Sequence, residues 1–245
     1  MRETRLFVDI PLRDGLALPL PGEAAQHALR VLRLRAGDRV VLFNGDGRQY
    51  PARLLTADPK TARVRIEAVE SPLRESPLHV TLLQAVARGE KMDWIVQKAT
   101  EMGALRIAPI VSERSEVKLD AARGGKRLDR WRAIATAACE QCGRNVVPAI
   151  DAPLPLDAWL AADAPAEAGT RWMLHPGAKT RVRELGPLPA AITLAVGPEG
   201  GFSDGDLAAL RQAGFSGLAL GPRILRTETA GIAVLAALQT EYGDF

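Results

Sequence analysis

A glycine-rich segment in the last fifty residues has the composition of a ligand-binding loop. It has the sequence Gly-Pro-Glu-Gly-Gly from Gly197 to Gly201, and it directly follows the apolar run 191–196. Glycines permit positive φ angles and let a ligand approach the backbone closely. Ser203 then has the position of a helix cap, with Asp206 three residues later. A strand, a tight loop and a helix start predict a small-ligand site, although a turn without a ligand has the same pattern.

The loop has neither of the two common nucleotide-binding patterns. No Gly-Lys-Ser/Thr follows it, as a phosphate-binding Walker motif requires, and the Gly-x-Gly-x-x-Gly pattern of dinucleotide sites is absent from it.

A second segment repeats the arrangement from Leu220 to Ala230, with the sequence Leu-Gly-Pro-Arg-Ile-Leu-Arg-Thr-Glu-Thr-Ala. It follows a predicted strand, 215–220, and leads into a predicted helix, 227–242. Arg226 and Glu228 stand at the helix start, where charges are costly to bury without a partner. Solvated charges beside a capping threonine are the alternative. We expect the two loops, at the ends of neighbouring strands, to face one another and form one site.

Together, the two segments resemble the signature of the RsmE family, 16S ribosomal RNA methyltransferases of the SPOUT superfamily that act on N(3) of a uridine. The resemblance extends over nearly the whole chain, through residues 27–33, 89–103, 112–115 and 140–144. It implies an α/β domain with a trefoil knot, preceded by a small PUA-like β-barrel that binds RNA. It also implies S-adenosylmethionine as cofactor and a homodimer whose two subunits both contact the 16S rRNA or small ribosomal subunit.

The resemblance also implies which residues bind the cofactor. They come from three loops and are Leu174, His175, Gly197, Glu199, Gly200, Gly201, Leu220, Gly221, Ile224, Leu225, Thr229 and Ala230.

The expected chemistry points to further residues. A uracil imide is a poor nucleophile until it loses its proton, so a base or a cation beside the carbonyls is expected. Arg226 is the first candidate for that cation, and Glu228 or Glu199 for accepting the proton or holding Arg226.

Three arginines, Arg5, Arg33 and Arg144, are the candidates for RNA contacts, with solvated surface positions as the alternative. The first 150 residues carry a net charge of +7 and the rest −4, an asymmetry that favours nucleic acid as a partner. For Lys91, Asp93, Lys98 and Glu101, a structural or dimer role is expected.

Composition narrows the class of protein. Of the 245 residues, 47% are apolar, enough for a sizeable core, and no apolar run approaches the ~18 residues of a membrane span. The absence of a signal-like N-terminus predicts a cytoplasmic protein. Two cysteines, Cys139 and Cys142, do not suffice for a disulfide framework, and with three histidines they do not suggest zinc. Both are expected to face a core, and no metal is expected.

Periodicity predicts two domains. Short strands and one helix over the first seventy residues favour a small barrel, 1–72. A proline-containing linker follows at 71–77, and then strands alternate with helices, which is typical of a parallel sheet covered on both faces, 76–245. Two other functions stay open: a knotted methyltransferase acting on a tRNA ribose hydroxyl, and a ribosome-binding module without catalysis.

Overall fold

The computed structural model describes residues 3–58, 60–117, 121–162, 169–187 and 191–245, with only the backbone of 121–123. The chain folds as two compact units. The first comprises Met1–Glu75 with Thr136–Val147, and the second comprises Ser76–Ala135 with Pro148–Phe245. The predicted boundaries, 1–72 and 76–245, differ from this division because the segment 136–147 packs with the first unit.

The first unit contains a five-stranded mixed sheet. Its elements are β1 (Arg5–Phe7), β2 (Ala17–Pro19), α1 (Gly22–Gln26) continuing as a π-helical turn (His27–Val31), β3 (Arg39–Phe43), β4 (Tyr50–Thr56) and β5 (Arg63–Ile66). The strand order is β1-β3-β4-β5-β2. β1 runs parallel to β3, and the other pairings are antiparallel.

Local sequence explains most of this sheet. The turn sequence Asn-Gly-Asp-Gly at 44–47 predicts a hairpin. In the structure it joins β3 to β4, and both of its glycines, Gly45 and Gly47, have positive φ angles. In β5, Val64 and Ile66 are buried while Arg63 and Arg65 are exposed, as the alternating pattern predicts. β2 was not predicted, because three residues are too short to show a period.

The second unit alternates strands and helices. Its elements are β6 (His79–Ala85), α2 (Lys91–Glu101), β7 (Arg106–Val111), α3 (Ala121–Cys142), β8 (Ala149–Ile150), β9 (Leu154–Pro155), α4 (Leu156–Ala162), β10 (Thr170–Leu174), a 3-10 turn (Val182–Glu184), β11 (Ala191–Val196), α5 (Asp204–Gln212), β12 (Ser216–Leu218) and α6 (Thr227–Tyr242). The last turns of α3, from Thr136, belong to the first unit.

All pairings in the second sheet are parallel, in the order β12-β10-β11-β6-β7-β8, with β9 against β7. This confirms the predicted α/β class. The two glycine loops, however, do not follow neighbouring strands. β10 lies between β11 and β12, so a third loop, after Leu174, separates them. Because the strands are parallel, all three loops leave the same edge of the sheet.

One expectation about the cysteines was wrong. Cys139 is buried, and burial raises the pKa of its thiol to about 12, whereas Cys142 is exposed. Cys142 is the last residue of α3, where the core-facing stripe ends and the chain turns at Gly143. Within the described ranges, no cluster of His, Cys, Asp and Glu could hold a metal ion, and no helix is long and apolar enough to span a membrane.

Candidate functional site

A cavity of about 590 Å³ lies where β10, β11 and β12 end. This volume falls in the range of small-molecule sites. Ten of the twelve predicted cofactor residues line it: Leu174, His175, Gly197, Glu199, Gly201, Leu220, Gly221, Ile224, Leu225 and Ala230. Gly200 and Thr229 are not among the lining residues. The structure therefore brings together, in one cavity, three loops that are distant in sequence.

The first glycine loop is a tight turn between β11 and α5. A Cβ atom on Gly197 would lie 3.1 Å from the backbone nitrogen of Phe202, which is closer than most residues tolerate. Gly201 has a φ of +69°, and its N–H donates to the Pro198 carbonyl at 2.9 Å. Ser203 and Asp206 form the predicted capping box at the start of α5. Glycine is thus favoured at Gly197 by the limited space and at Gly201 by φ.

The second loop ends at Arg226, which precedes the first residue of α6. Its extended backbone, φ −65° and ψ 152°, is that of an N-cap, and its carbonyl accepts from the N–H groups of Thr229 and Ala230. The side chain is exposed and lines the cavity. Within the described part of the chain, the Arg226 guanidinium has no hydrogen-bond or ion-pair partner. A free cation therefore faces the cavity.

The third loop follows β10 at His175. The His175 N–H donates to the Leu218 carbonyl at 3.1 Å, and its Nδ1 accepts from the Gly177 N–H at 3.1 Å. The imidazole thus stabilises the turn, and Leu174, His175 and Pro176 together supply part of the cavity wall.

Two carboxylates share one lysine beside the cavity. Lys91 Nζ lies 3.1 Å from Glu199 Oε1 and 3.5 Å from Glu228 Oε2. Glu228 Oε2 is buried and forms no hydrogen bond with any described residue, so Lys91 supplies its countercharge. Lys91 itself lines the cavity, a placement that the expected structural or dimer role did not include. Its position, at the helix start that follows β6, is the feature that could have indicated the site.

The environment of Glu199 lowers the pKa of its carboxyl. Burial acts to raise that pKa, but hydrogen bonds from its own backbone N–H, from Lys91 Nζ and from the Arg88 backbone N–H together outweigh burial. Glu199 is therefore ionised at neutral pH. A lowered pKa also makes it a weaker proton acceptor, so its contacts suit it better to orienting a cation than to removing a proton.

We expect the Glu199→Gln substitution to reduce stability in a pH-dependent way. A folded-state pKa below the unfolded value stabilises the protein above the ordinary value of 4.5, and this contribution is lost as pH falls through the lowered pKa. In urea denaturation, the free energy of unfolding should therefore be lower for Glu199→Gln than for wild type. This difference should be largest near neutral pH and should shrink below pH 4.5. The exposed Glu241→Gln is the control. A difference that grows on acidification would contradict the assignment.

Two of the three candidates for RNA contacts, Arg5 and Arg144, are buried within the first unit. The Arg5 side chain is 8% exposed and donates to Gln49 Oε1 at 3.0 Å and Asn145 Oδ1 at 2.5 Å. The Arg144 side chain is also buried, and its Nε donates to Glu75 Oε2 at 2.8 Å. Both guanidinium groups bind the first unit itself, because a buried charge must be paired.

Arg33, the third candidate for an RNA contact, lies at the surface. It is exposed and has a φ of +56°, the one positive φ angle at a non-glycine residue in the described ranges. A positive φ angle is uncommon at residues other than glycine. An RNA contact at Arg33 stays a prediction.

Arg5→Ala should destabilise the first unit by about 3 kcal/mol, because removing one partner of a buried charged network leaves the other groups unpaired. Arg5 also lies 4.9 Å from the Phe43 ring centroid, a contact that the substitution would remove. Chemical denaturation measures this decrease in the free energy of unfolding. Arg39→Ala, at the exposed end of β3, is the control and should change the free energy of unfolding by less than about 0.5 kcal/mol. Equal stability of the two variants would contradict the network's role.

Comparisons with known proteins identify related domains and relatives. A family described as RNA methyltransferase domain matches residues 74–239, and one described as RNA methyltransferase PUA domain matches residues 20–67. The chain is 32% identical to ribosomal RNA small subunit methyltransferase E of Buchnera aphidicola, over 98% of this chain and 94% of that protein. It is 29% identical to the Bacillus subtilis protein of the same name, over 97% of each chain.

Two solved structures are similar over the full length of both chains. Ribosomal RNA small subunit methyltransferase E of Neisseria gonorrhoeae, bound to S-adenosyl methionine, is 36% identical with a TM-score of 0.93. A methyltransferase of Legionella pneumophila, in complex with the bound cofactor SAM, is 39% identical with a TM-score of 0.94. With the loops, the parallel sheet and the matched domains in agreement, this chain belongs to the RsmE family of RNA methyltransferases.

Proposed function

We propose that this enzyme transfers a methyl group from S-adenosylmethionine to N(3) of a specific uridine in 16S ribosomal RNA. The observation that carries the proposal is the cavity itself. Three loops, including both segments of the family signature, converge on it in a chain that matches two SAM-bound methyltransferases over its full length.

The cavity wall fits this cofactor. Leu174, Leu218 and Leu225 supply apolar surface for an adenine ring, and the glycines of the two loops expose backbone groups that could bind its edge. Glu199, which is ionised, offers a negative charge to a cationic ligand. When bound, S-adenosylmethionine supplies a methyl group on a positively charged sulfur. The protein must therefore supply position and charge rather than activate the methyl group.

The residues around Arg226 are suited to activating the acceptor. As the uracil imide loses its proton, negative charge develops on the neighbouring carbonyl oxygens, and the unpaired Arg226 guanidinium can stabilise it. Glu228, in the first turn of α6 and outside the cavity lining, is the remaining candidate for accepting the proton, because the pKa of Glu199 is lowered. Lys91 would hold both carboxylates in place.

The proposal places RNA binding partly on the first unit, which carries the PUA match and the exposed Arg33. The PUA match over residues 20–67 and the basic net charge of the first 150 residues support it. The homodimer, the trefoil knot and the cytoplasmic location stay predictions of the family resemblance.

Nucleoside analysis of both 16S rRNA and tRNA from a strain without the gene tests the proposal. Loss of one N(3)-methyluridine, restored by the wild-type gene, is the expected result. Loss of a ribose methyl from tRNA would favour the second function considered above. An unchanged set of methylated nucleosides would favour a ribosome-binding module without catalysis.

A further inference from the structure

A buried glutamine connects the start of α6 to the first glycine loop. Gln84, near the end of β6, is fully buried. Its Nε2 donates to the Ala85 carbonyl at 2.9 Å and to Thr227 Oγ1 at 3.0 Å. The Thr227 hydroxyl in turn donates to the Gly197 carbonyl at 2.7 Å. These bonds form a hydrogen-bond chain from β6, through the first residue of α6, to the first residue of the loop.

The available donors and acceptors fix the direction of these hydrogen bonds. The Thr227 hydroxyl has one proton, which it gives to Gly197, so it can only accept from Gln84. Gln84 Oε1 is buried without a hydrogen-bond partner among the described residues, so only the donor end holds the amide. A Cβ atom on Gly231, one turn further along α6, would lie 3.3 Å from Gln84 Oε1. The glycine lets α6 lie close to this amide.

These hydrogen bonds link two of the three loops that line the cavity. Gly197 begins the first glycine loop, and Thr227 directly follows the second; both line the cavity, whereas Gln84 does not. We propose that Gln84 and Thr227 are positioning residues that hold the two loops at the separation that cofactor binding requires. Gln84 acts through Thr227. This inference rests on the proposed function, in which the cavity binds S-adenosylmethionine.

Calorimetric titration of the full-length protein with S-adenosylmethionine tests the proposal. Thr227→Val keeps the volume but removes the hydroxyl, and Gln84→Met keeps the length but removes the donor. Each should raise the Kd about tenfold, a typical size for coupling between a structural element and a site. The double variant should bind the cofactor no more weakly than the single variant with the higher Kd, because both substitutions break the same series of hydrogen bonds. Thr227→Ser, which keeps the hydroxyl, should restore the wild-type Kd.

Two variants of α6 separate positioning from general stability. Thr240→Val removes a hydroxyl that bonds only within α6, to the Ala236 carbonyl, and should leave the Kd unchanged. Leu238→Ala creates a cavity at a fully buried position, and should lower the Tm without changing the Kd.

The proposal is overturned if Thr227→Val and Gln84→Met bind the cofactor as wild type does. It is also overturned if Leu238→Ala weakens binding as much as they do. If the wild-type protein does not bind S-adenosylmethionine, the proposed function itself fails, and the inference fails with it.

Discussion

Arg226→Ala should lower kcat for methyl transfer by about 100- to 1,000-fold, the usual cost of removing one group that stabilises developing negative charge. The Kd for S-adenosylmethionine should change little. The fold should also be retained, because the Arg226 guanidinium has no partner among the described residues and only its backbone caps α6. Single-turnover rates with saturating cofactor, together with the Kd and Tm, measure the three effects separately.

Two further variants make the Arg226 result specific. Arg226→Lys keeps the positive charge but loses the planar pair of donors, so its rate should fall between those of wild type and Arg226→Ala. Arg211→Ala removes an exposed arginine from the last turn of α5, outside the cavity lining, and should keep the wild-type rate. If Arg226→Ala transfers methyl groups at the wild-type rate with normal cofactor affinity, the role assigned to Arg226 is wrong.

Gly197→Ala should weaken cofactor binding by about tenfold and reduce the transfer rate further, because misplacement of a site by about 1 Å can cost about 100-fold. The added Cβ atom would lie 3.1 Å from Phe202 N and 3.3 Å from the Phe202 ring. The nearest atom belongs to the backbone of the same turn, so relief requires the loop to move. The Gly197 carbonyl, which accepts the Thr227 hydroxyl, would move with it.

Gly205→Ala is the matched control for this substitution. Gly205 lies in the first turn of α5, and a Cβ atom there would be no closer than 3.5 Å to its neighbours. Alanine is favoured over glycine in a helix by about 1 kcal/mol, so this variant should keep the wild-type Kd and have an equal or higher Tm. Wild-type binding and rate in Gly197→Ala would show that the loop tolerates the added methyl group.

The sequence predicted those features that depend on local pattern. β11 and α6 begin and end where their apolar runs predict, and Ser203 caps α5 as its spacing to Asp206 predicts. The glycine loops were identified because glycine and proline have strong local preferences. The hairpin between β3 and β4 was identified for the same reason.

The features that sequence analysis missed depend on contacts between distant residues. Nothing local places β10 between β11 and β12, and nothing local brings Lys91 to two glutamates more than a hundred residues away. Gln84 was also missed, because its partner Thr227 lies in another part of the chain. The contacts of Arg5 and Arg144 were missed for the same reason, because their partners Asn145 and Glu75 are distant in sequence.

In vitro methylation tests the central claim most directly. Small ribosomal subunits from a strain without the gene would be incubated with purified protein and methyl-labelled S-adenosylmethionine, and the labelled nucleoside would be identified by mass spectrometry. We predict a single labelled product, N(3)-methyluridine in 16S rRNA, from the wild-type protein, and at least a hundredfold slower labelling, on the order expected for a lost charge-stabilising group, from Arg226→Ala. Label on a ribose, or no transfer to 16S rRNA by the wild-type protein, would contradict the account.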